Sequence, residues 1–339
     1  MIHDGIRAGG KHSYEDFRLE IASREIGLPE KKSIRKTVPF MNGFYDFTTL
    51  NGAPAWGERQ IKYTFDLIGA TVEEMDAERT EVVNWLCNLH DVDIFDDSIP
   101  DYHFRGSYDS YSLSEDVEYV ELTVVFVCYP FMLSNVSVSQ TFTGDGTFAI
   151  VNNGQQIKLM AKGKGTITYG TIKKSFDAAE LVESGFYIPK GTASVSVALD
   201  NLLGLPFSTT ANPATSNGIT YTKDDSNNIT ASGTATDTSW FYCKTSSMMW
   251  VLRAGRYYAK MCPSGGSSTT YRVQITVVDS ARASKVYYDY GSGVYFDVPK
   301  NVSYIGVAIR ILSGVVADSL VFTPKIYADT VLSYSEVVL

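Results

Sequence analysis

The chain has 339 residues, of which 44% are hydrophobic and 20% charged, with a formal net charge of −9. That length buries more than one core, and that composition argues against disorder. No apolar run reaches the roughly 18 residues of a membrane span, and Met1-Ile2-His3-Asp4-Gly5 lacks the basic-then-apolar layout of a signal peptide, which points to folding in a cytosol.

Residues 6–36 are polar and charged, with Lys31, Lys32, Arg35 and Lys36 in one cluster, and read as a solvated arm or loop. From Val38 the chain turns to short apolar and aromatic runs broken by Asn42-Gly43 and Asn51-Gly52, dipeptides that favour hairpins because both residues tolerate positive φ. Arg59 to Phe65 alternates polar with apolar, the pattern of a half-buried strand. Thr71 with Glu74 makes a capping box, and Val72, Met75, Val82, Leu86 and Leu89 follow at helical spacing, predicting a helix that ends near His90. Beyond it, Asp91, Asp93, Asp96 and Asp97 alternate with Val92, Ile94 and Phe95, which suits the solvent face of a strand. Tyr119 to Tyr129 is a long alternating strand.

Residues 136–198 form a second β segment, punctuated by Gly144-Asp145-Gly146, Asn153-Gly154 and Gly163-Lys164-Gly165 as turns. Strands are expected at Lys158 to Ala161 and Thr166 to Tyr169, and a helical turn at Asp177 to Leu181. Residues 201–327 shift to Ser, Thr, Gly and Asn, and the change near Leu203-Gly204-Leu205-Pro206 marks a boundary. Strands at Gly218–Thr222, Ile229–Thr236, Arg256–Met261, Tyr271–Val278, Val294–Val298 and Tyr304–Leu312, with turn signals between them, favour a β-sandwich or jelly roll.

Catalytic chemistry finds little footing. No nucleophile elbow is present, and His3, His12, His90 and His103 sit in no recognisable motif. The acidic cluster at 91–97 raises the question of paired glycosidase carboxylates, and its alternation answers for a strand instead. Asp224-Asp225-Ser226-Asn227-Asn228 offers hard oxygen ligands without the spacing of a calcium loop and reads as a polar hairpin turn. Cys87, Cys128, Cys243 and Cys262 lack C-x-x-C spacing. Cys87 and Cys128 read as buried small hydrophobes; Cys243 and Cys262 could meet in a folded sheet, although a cytosolic product favours reduced thiols. No enzyme, metal or cofactor is expected. Residues 1–135 carry 12 Lys+Arg against 24 Asp+Glu, a net of −12, which argues against binding a phosphate backbone.

The first 135 residues resemble the N-terminal domain of siphophage distal tail (Dit) proteins. The resemblance is carried by Ser13-Tyr14-Glu15-Asp16-Phe17, Glu25 to Glu30, Val38-Pro39-Phe40-Met41-Asn42-Gly43-Phe44-Tyr45-Asp46-Phe47, Arg59 to Phe65, Asn84-Trp85-Leu86, Asp101 to Gly106 and Cys128-Tyr129-Pro130-Phe131, in that order. It implies a homo-hexameric ring joining the tail tube protein to tail-tip proteins of the virion, assembled in the host cytoplasm, with the genome passing through the lumen without specific binding. It also implies that 6–36 reaches a neighbouring subunit, so that Lys31, Lys32, Arg35 and Lys36 meet an acidic partner there, and that the acidic surface lines the lumen.

The family's second domain is a galectin-like β-sandwich ending in a strand like Val331-Leu332-Ser333-Tyr334-Ser335-Glu336. Here that ending stands at the C-terminus, far from Ala193 to Val197, the strand it should follow through a short turn. The inference is a mainly β chain of three units. Residues 1–135 form an α+β unit with one main helix, 136–199 with 329–339 form the galectin-like sandwich, and 200–328 is inserted into its final hairpin. Insertion at an exposed loop tip costs little, because closure entropy grows only logarithmically. The insertion resembles the carbohydrate-binding-module-like sandwiches of phage tail tips, through Asn201-Leu202-Leu203, Gly218 to Thr222, Ile229 to Thr236 and Leu320 to Tyr327. That resemblance implies contact with host cell-wall polysaccharide, with Trp240, Tyr288 and Tyr290 as the aromatic contacts. A module that only braces other virion proteins is the alternative.

Overall fold

The structure is a computed structural model that describes residues 4–48, 55–67, 72–115 and 120–339. It is mainly β, with strands far outnumbering its helical residues. Asn51-Gly52 and the Thr71–Glu74 capping box lie outside the described residues, as do the side chains of Val72 and Met75.

Buried side chains fall into three clusters. The first packs Ile6, Phe17, Leu19, Tyr63, Phe65, Trp85, Leu86, Phe104 and Phe126 beneath the helix Val72–Cys87. Its sheet pairs Leu19–Ile26 with Arg59–Leu67, then Val120–Cys128, then Tyr102–Glu115. The Trp85 indole donates to the Ala8 carbonyl at 3.0 Å and stacks on Phe17 with centroids 4.9 Å apart.

Two expectations fail in this unit. Residues 6–26 are not a solvated arm: Ile6–Ala8, the helix Ser13–Phe17 and Leu19–Ile26 belong to the core unit. Some of their polar residues, His12 and Ser13 among them, are buried structural partners, while Arg7, Lys11, Glu15, Asp16 and Arg18 stay exposed. His12 Nδ1 caps the short helix by accepting from the Tyr14 and Glu15 amides, while its Nε2 meets Asp97 at 3.0 Å. The 91–97 acids are likewise not uniformly on a solvent face. Asp96 is buried, accepting from Tyr63 Oη at 3.0 Å and from Arg24 Nε at 2.9 Å. Burial and the adjacent carboxylate push the Tyr63 hydroxyl well above the usual phenol range.

The second cluster joins Phe148, Ile150, Ile157, Leu159, Ile167, Val195 and Val197 to Leu332 and Tyr334 of the final strand. That strand, Thr330–Val338, pairs with Met132–Phe142 over most of its length and with Ile157–Tyr169 at Met160 to Lys162. Its partner is therefore not the expected Ala193–Val197 segment. The Gly191–Leu199 strand pairs with Gly146–Asn152 and with a different stretch of Ile157–Tyr169, at Gly165 to Thr168. The single 13-residue strand Ile157–Tyr169 thus carries both returning strands along its length.

Continuity of that strand corrects the turn expected at Gly163-Lys164-Gly165. Gly163 has φ +105°, and a Cβ there would sit 2.2 Å from Thr330 Oγ1 and 2.7 Å from Thr330 Cα. The glycine permits a close strand approach at a register shift instead of reversing the chain. Asp177 to Leu181 is part of the extended strand Ile172–Ile188, not a helical turn: Asp177 and Ala178 pair with Lys164 and Gly163, Val182 pairs with Ala161, and the residues between them lie at a register shift.

The third cluster lies wholly within residues 203–328 and contains Phe207, Tyr221, Phe241, Ile275, Phe296, Ile309 and Phe322 among others. It is bounded by the four-stranded sheets Ala214–Ser216/Ile219–Lys223/Ile229–Thr234/Val316–Phe322 and Ser239–Lys244/Val302–Ile311/Tyr271–Asp279/Ser284–Asp289, with a three-stranded sheet beside them. The entering and leaving chains are clamped together at the neck. Asn201 Oδ1 accepts from the amides of Leu203 at 3.1 Å and Ile326 at 3.0 Å, and its Nδ2 donates to the Pro324 carbonyl at 3.0 Å. Tyr258 and Tyr327, from inside the 203–328 stretch, bury their rings in the second cluster. Asp177 then bridges Lys164 at 3.0 Å and Arg253 at 2.7 Å across the same junction.

Candidate functional site

The four-stranded sheet running Ser239–Lys244, Val302–Ile311, Tyr271–Asp279, Ser284–Asp289 has one face in the module core and one outward. Alternation assigns the residues. Phe241, Val273, Ile275, Ile309 and Ile311 point inward and are buried, so their neighbours in sequence point out. Register then lines up the outward residues in rows. Trp240 stands opposite Arg310, and Arg310 opposite Arg272. One row along, Tyr242 stands opposite Ala308, Ala308 opposite Gln274, and Gln274 opposite Tyr288.

The side chains form a continuous platform. Trp240 and Tyr242 have parallel rings, 1° apart in plane, with centroids separated by 5.9 Å. Tyr288 and Tyr290 lie 5.9 Å apart at the opposite edge. Between these pairs the Arg310 guanidinium lies 4.9 Å from the Trp240 centroid, and that of Arg272 lies 4.7 Å from Tyr288. Tyr242 and Tyr290 are exposed, and Trp240 and Tyr288 are half-buried.

All three aromatic residues singled out from the sequence, Trp240, Tyr288 and Tyr290, therefore fall on this one face, although Trp240 is not in ring contact with the other two. Tyr242, Gln274, Arg272 and Arg310 join them. The two arginines could have been suspected from their positions between Val273 and Ile309-type core residues, since an Arg flanked by inward apolar neighbours must point outward. Their mutual pairing depends on strand order, which the local pattern does not carry.

The Asp224 cluster closes the turn between Ile219–Lys223 and Ile229–Thr234. Asp224 Oδ1 accepts from the Asn228 amide at 2.8 Å, and Oδ2 accepts from Asn228 Nδ2 at 2.8 Å. Among the described residues no group of three or more His, Cys, Asp and Glu could hold a metal ion. Burial pushes the thiols of Cys128, Cys243 and Cys262 up to about 12, whereas Cys87 is exposed and so differs from its expected buried role. That helix buries the stripe Val82, Trp85, Leu86, and Cys87 follows on the opposite side.

The basic cluster lies on a protruding hairpin. Arg35–Lys36 pairs with Tyr45–Asp46, and Lys31 bridges to Trp56. Lys31, Lys32, Arg35 and Lys36 are all exposed. Arg35 already has a partner in its own hairpin, Asp46 at 3.4 Å, and lies over Phe44 at 4.5 Å. Hydrogen bonds from Thr48, then the Arg35 charge, hold the Asp46 carboxyl below the usual carboxylate value. The hairpin and the segment leading into it expose Leu28, Ile34, Val38, Phe40, Phe44 and Tyr45.

No family model and no curated protein matches the chain. Among solved structures it is similar to the Dit protein (gp 19.1) of SPP1, described as a paradigm of the hub adsorption apparatus in Gram-positive infecting phages. That likeness has a TM-score of 0.42 and 9% identity over 99% of each chain. It is also similar to the accessory secretory protein 1, 2 and 3 structure from Streptococcus pneumoniae, at TM-score 0.26 and 11% identity, over 37% of this chain and 99% of that one. The glycosylation-associated Gap123 complex of Streptococcus agalactiae gives TM-score 0.24 and 11% identity, over 42% of this chain and 45% of that one. Scores this low carry no argument about fold or function.

Proposed function

We propose that the chain is a structural hub protein of a phage tail tip, in which six copies form a ring between the tail tube and tip proteins, and that its 200–328 module binds host cell-surface saccharide. The role is one of binding, not catalysis. The observation that carries the saccharide reading is the single outward face holding Trp240, Tyr242, Tyr288 and Tyr290 with polar side chains between them. Flat aromatic faces flanked by hydrogen-bonding groups suit sugar rings, whose CH faces are apolar and whose rims are polar.

The hub reading rests on the ordered sequence segments of the first 135 residues and gains support from the hairpin around Phe40. An exposed tongue of apolar and basic residues suits a contact with a neighbouring copy. In such a ring the net −12 of residues 1–135 would keep passing DNA from adhering.

Two measurements test the two halves. Solution mass with negative-stain imaging of the full chain is expected to show rings, and a monomer at high concentration in the presence of tube protein would sink the hub reading. Pull-down on purified host cell walls is expected to retain the full chain and lose it on Trp240→Ala. Equal retention of both, or retention of neither, would favour a module that only braces other virion proteins.

A further inference from the structure

We infer that the saccharide recognised by this face is anionic, bearing phosphate or carboxylate groups, and that Arg272 and Arg310 select it; the inference rests on the saccharide-binding reading above. Arg272 and Arg310 are direct cross-strand neighbours on the same sheet face. Like charges so placed repel, and folded proteins ordinarily relieve them with an acid. Among the described residues neither arginine has a carboxylate within ion-pair distance: Arg272 donates through one terminal nitrogen to the Ser268 carbonyl at 2.7 Å, and Arg310 has no hydrogen-bonded side-chain partner.

Both Nε atoms are buried without a partner. Arg272 is only 8 % exposed. A buried, unpartnered donor is costly and seldom retained without use. The arginines lie toward opposite edges, Arg310 over Trp240 and Arg272 over Tyr288, so the platform reads aromatic, cation, cation, aromatic across the strands. The ring contacts place each guanidinium against an aromatic face without an anion to compensate its charge. Asp289, whose neighbours Tyr288 and Tyr290 belong to the platform, faces inward and is consumed by the amides of Met261, Cys262, Gly291 and Gly293.

A planar guanidinium pairs with phosphate or carboxylate through two parallel hydrogen bonds, and a neutral sugar offers no equivalent. The whole module is mildly basic, with 11 Lys+Arg against 8 Asp over residues 200–328, whereas the first 135 residues are strongly acidic. A polyanionic chain is thereby drawn to this end of the molecule and repelled from the other.

The test uses the full chain with four soluble probes: a phosphate-bearing wall polysaccharide, the same polymer after dephosphorylation, polygalacturonate, and carboxyl-reduced polygalacturonate. Polyglutamate serves as a polyanion without sugar. At least one charged polysaccharide is expected to bind roughly ten- to a hundredfold more tightly than its neutral counterpart. That preference should shrink as salt rises. Preference for the phosphate pair or for the carboxylate pair distinguishes the two sources of charge. Arg310→Gln, at a half-exposed position, is expected to erase the preference while leaving weak binding to the neutral forms, and the salt titration of the unaltered chain tests the same point without any variant. Equal binding of charged and neutral forms overturns the anionic inference and leaves the saccharide reading standing. Polyglutamate binding as tightly as the sugars overturns the saccharide class, and binding to none of the probes removes both.

Discussion

Gly163 lets a crowded crossing of two strands be measured. Two glycines bracket the same strand end: Gly163 at φ +105°, where a Cβ would strike the Thr330 backbone, and Gly170 at φ +59°, where nothing lies within 4 Å. Gly170→Ala should meet only the left-handed strain of about 1–2 kcal/mol. Gly163→Ala carries a comparable backbone penalty and adds an overlap of about 1–3 kcal/mol, because the Thr330 Cα at 2.7 Å stands in the way together with Oγ1 at 2.2 Å, so rotating the side chain alone does not clear the clash. Thr330 is fully buried, so the Thr330–Val338 strand must shift to make room.

Denaturant unfolding followed by tryptophan fluorescence and by far-UV circular dichroism should place Gly163→Ala about 1–3 kcal/mol below Gly170→Ala. Limited proteolysis should open the final strand of Gly163→Ala first, since losing that pairing loosens the strand that closes the second core cluster. Equal destabilisation by the two substitutions would show that the final strand does not approach Gly163 as closely as the geometry states, and the nested topology around it would need redrawing.

Asn201→Ala removes three neck hydrogen bonds while the Leu202–Ile326 backbone bond remains, so unfolding should cost about 1–2 kcal/mol, partly offset because Asn201 is solvent-accessible and water replaces some of the loss. A thiol titration with a disulfide reagent at pH 8 should find Cys87 reactive in the native chain and all of Cys87, Cys128, Cys243 and Cys262 reactive in denaturant, because burial holds the latter three as protonated thiols. Reaction of several thiols without denaturant would contradict the packing of the third cluster. Asp177 gives a pH signature: its Lys164 hydrogen bond, then the Arg253 charge, hold its carboxyl below 3.8 in the folded chain, so the bridge stabilises above that value and is lost as pH falls through the lower folded value. Asp177→Asn should therefore be less stable than the unaltered chain at pH 7, with the gap closing below pH 3.8; a gap that widens on acidification would reverse the sign of the argument.

Alternation reads well where one face of a strand meets a core. Arg59 to Phe65 and the strand Val120–Cys128 were visible for that reason, as was the helical stripe of Val82, Leu86 and Leu89. Residues 6–26 look like a solvated arm by composition because two of their polar side chains do internal work that composition does not show: His12 caps a helix five residues long, and Arg24 neutralises a buried Asp96 contributed from far along the chain. Composition reports polarity, and it does not report whether water or a protein atom satisfies it. Gly163-Lys164-Gly165 misled for a related reason, since glycine serves a turn and a close backbone approach equally well. The outward aromatic residues of the platform sheet are legible because adjacent aromatics in an alternating strand leave at least one pointing outward. Arg272 and Arg310 were passed over because their significance lies in a pairing across strands separated by about forty residues of chain, a long-range register that no local window holds.

The way the 203–328 cluster is attached bears on how its binding face could work. A domain on a long flexible linker gains less from copies of itself than a fixed one, since effective concentration falls once linker reach exceeds the spacing of the sites. Here two chain crossings are clamped by Asn201, Tyr258 and Tyr327 are buried in the neighbouring cluster, and Asp177 ties Lys164 to Arg253 across the junction. Bending at the neck would expose two aromatic rings and break those bonds together, so the face moves with the second unit as one piece. If six such faces are held in the proposed ring, a weak contact at each becomes a strong one for the assembly without any linker entropy to repay. That arrangement asks little of a single site: a shallow, open platform of four aromatic rings and two unpaired arginines, rather than a deep pocket, is sufficient when the geometry of the ring supplies the rest.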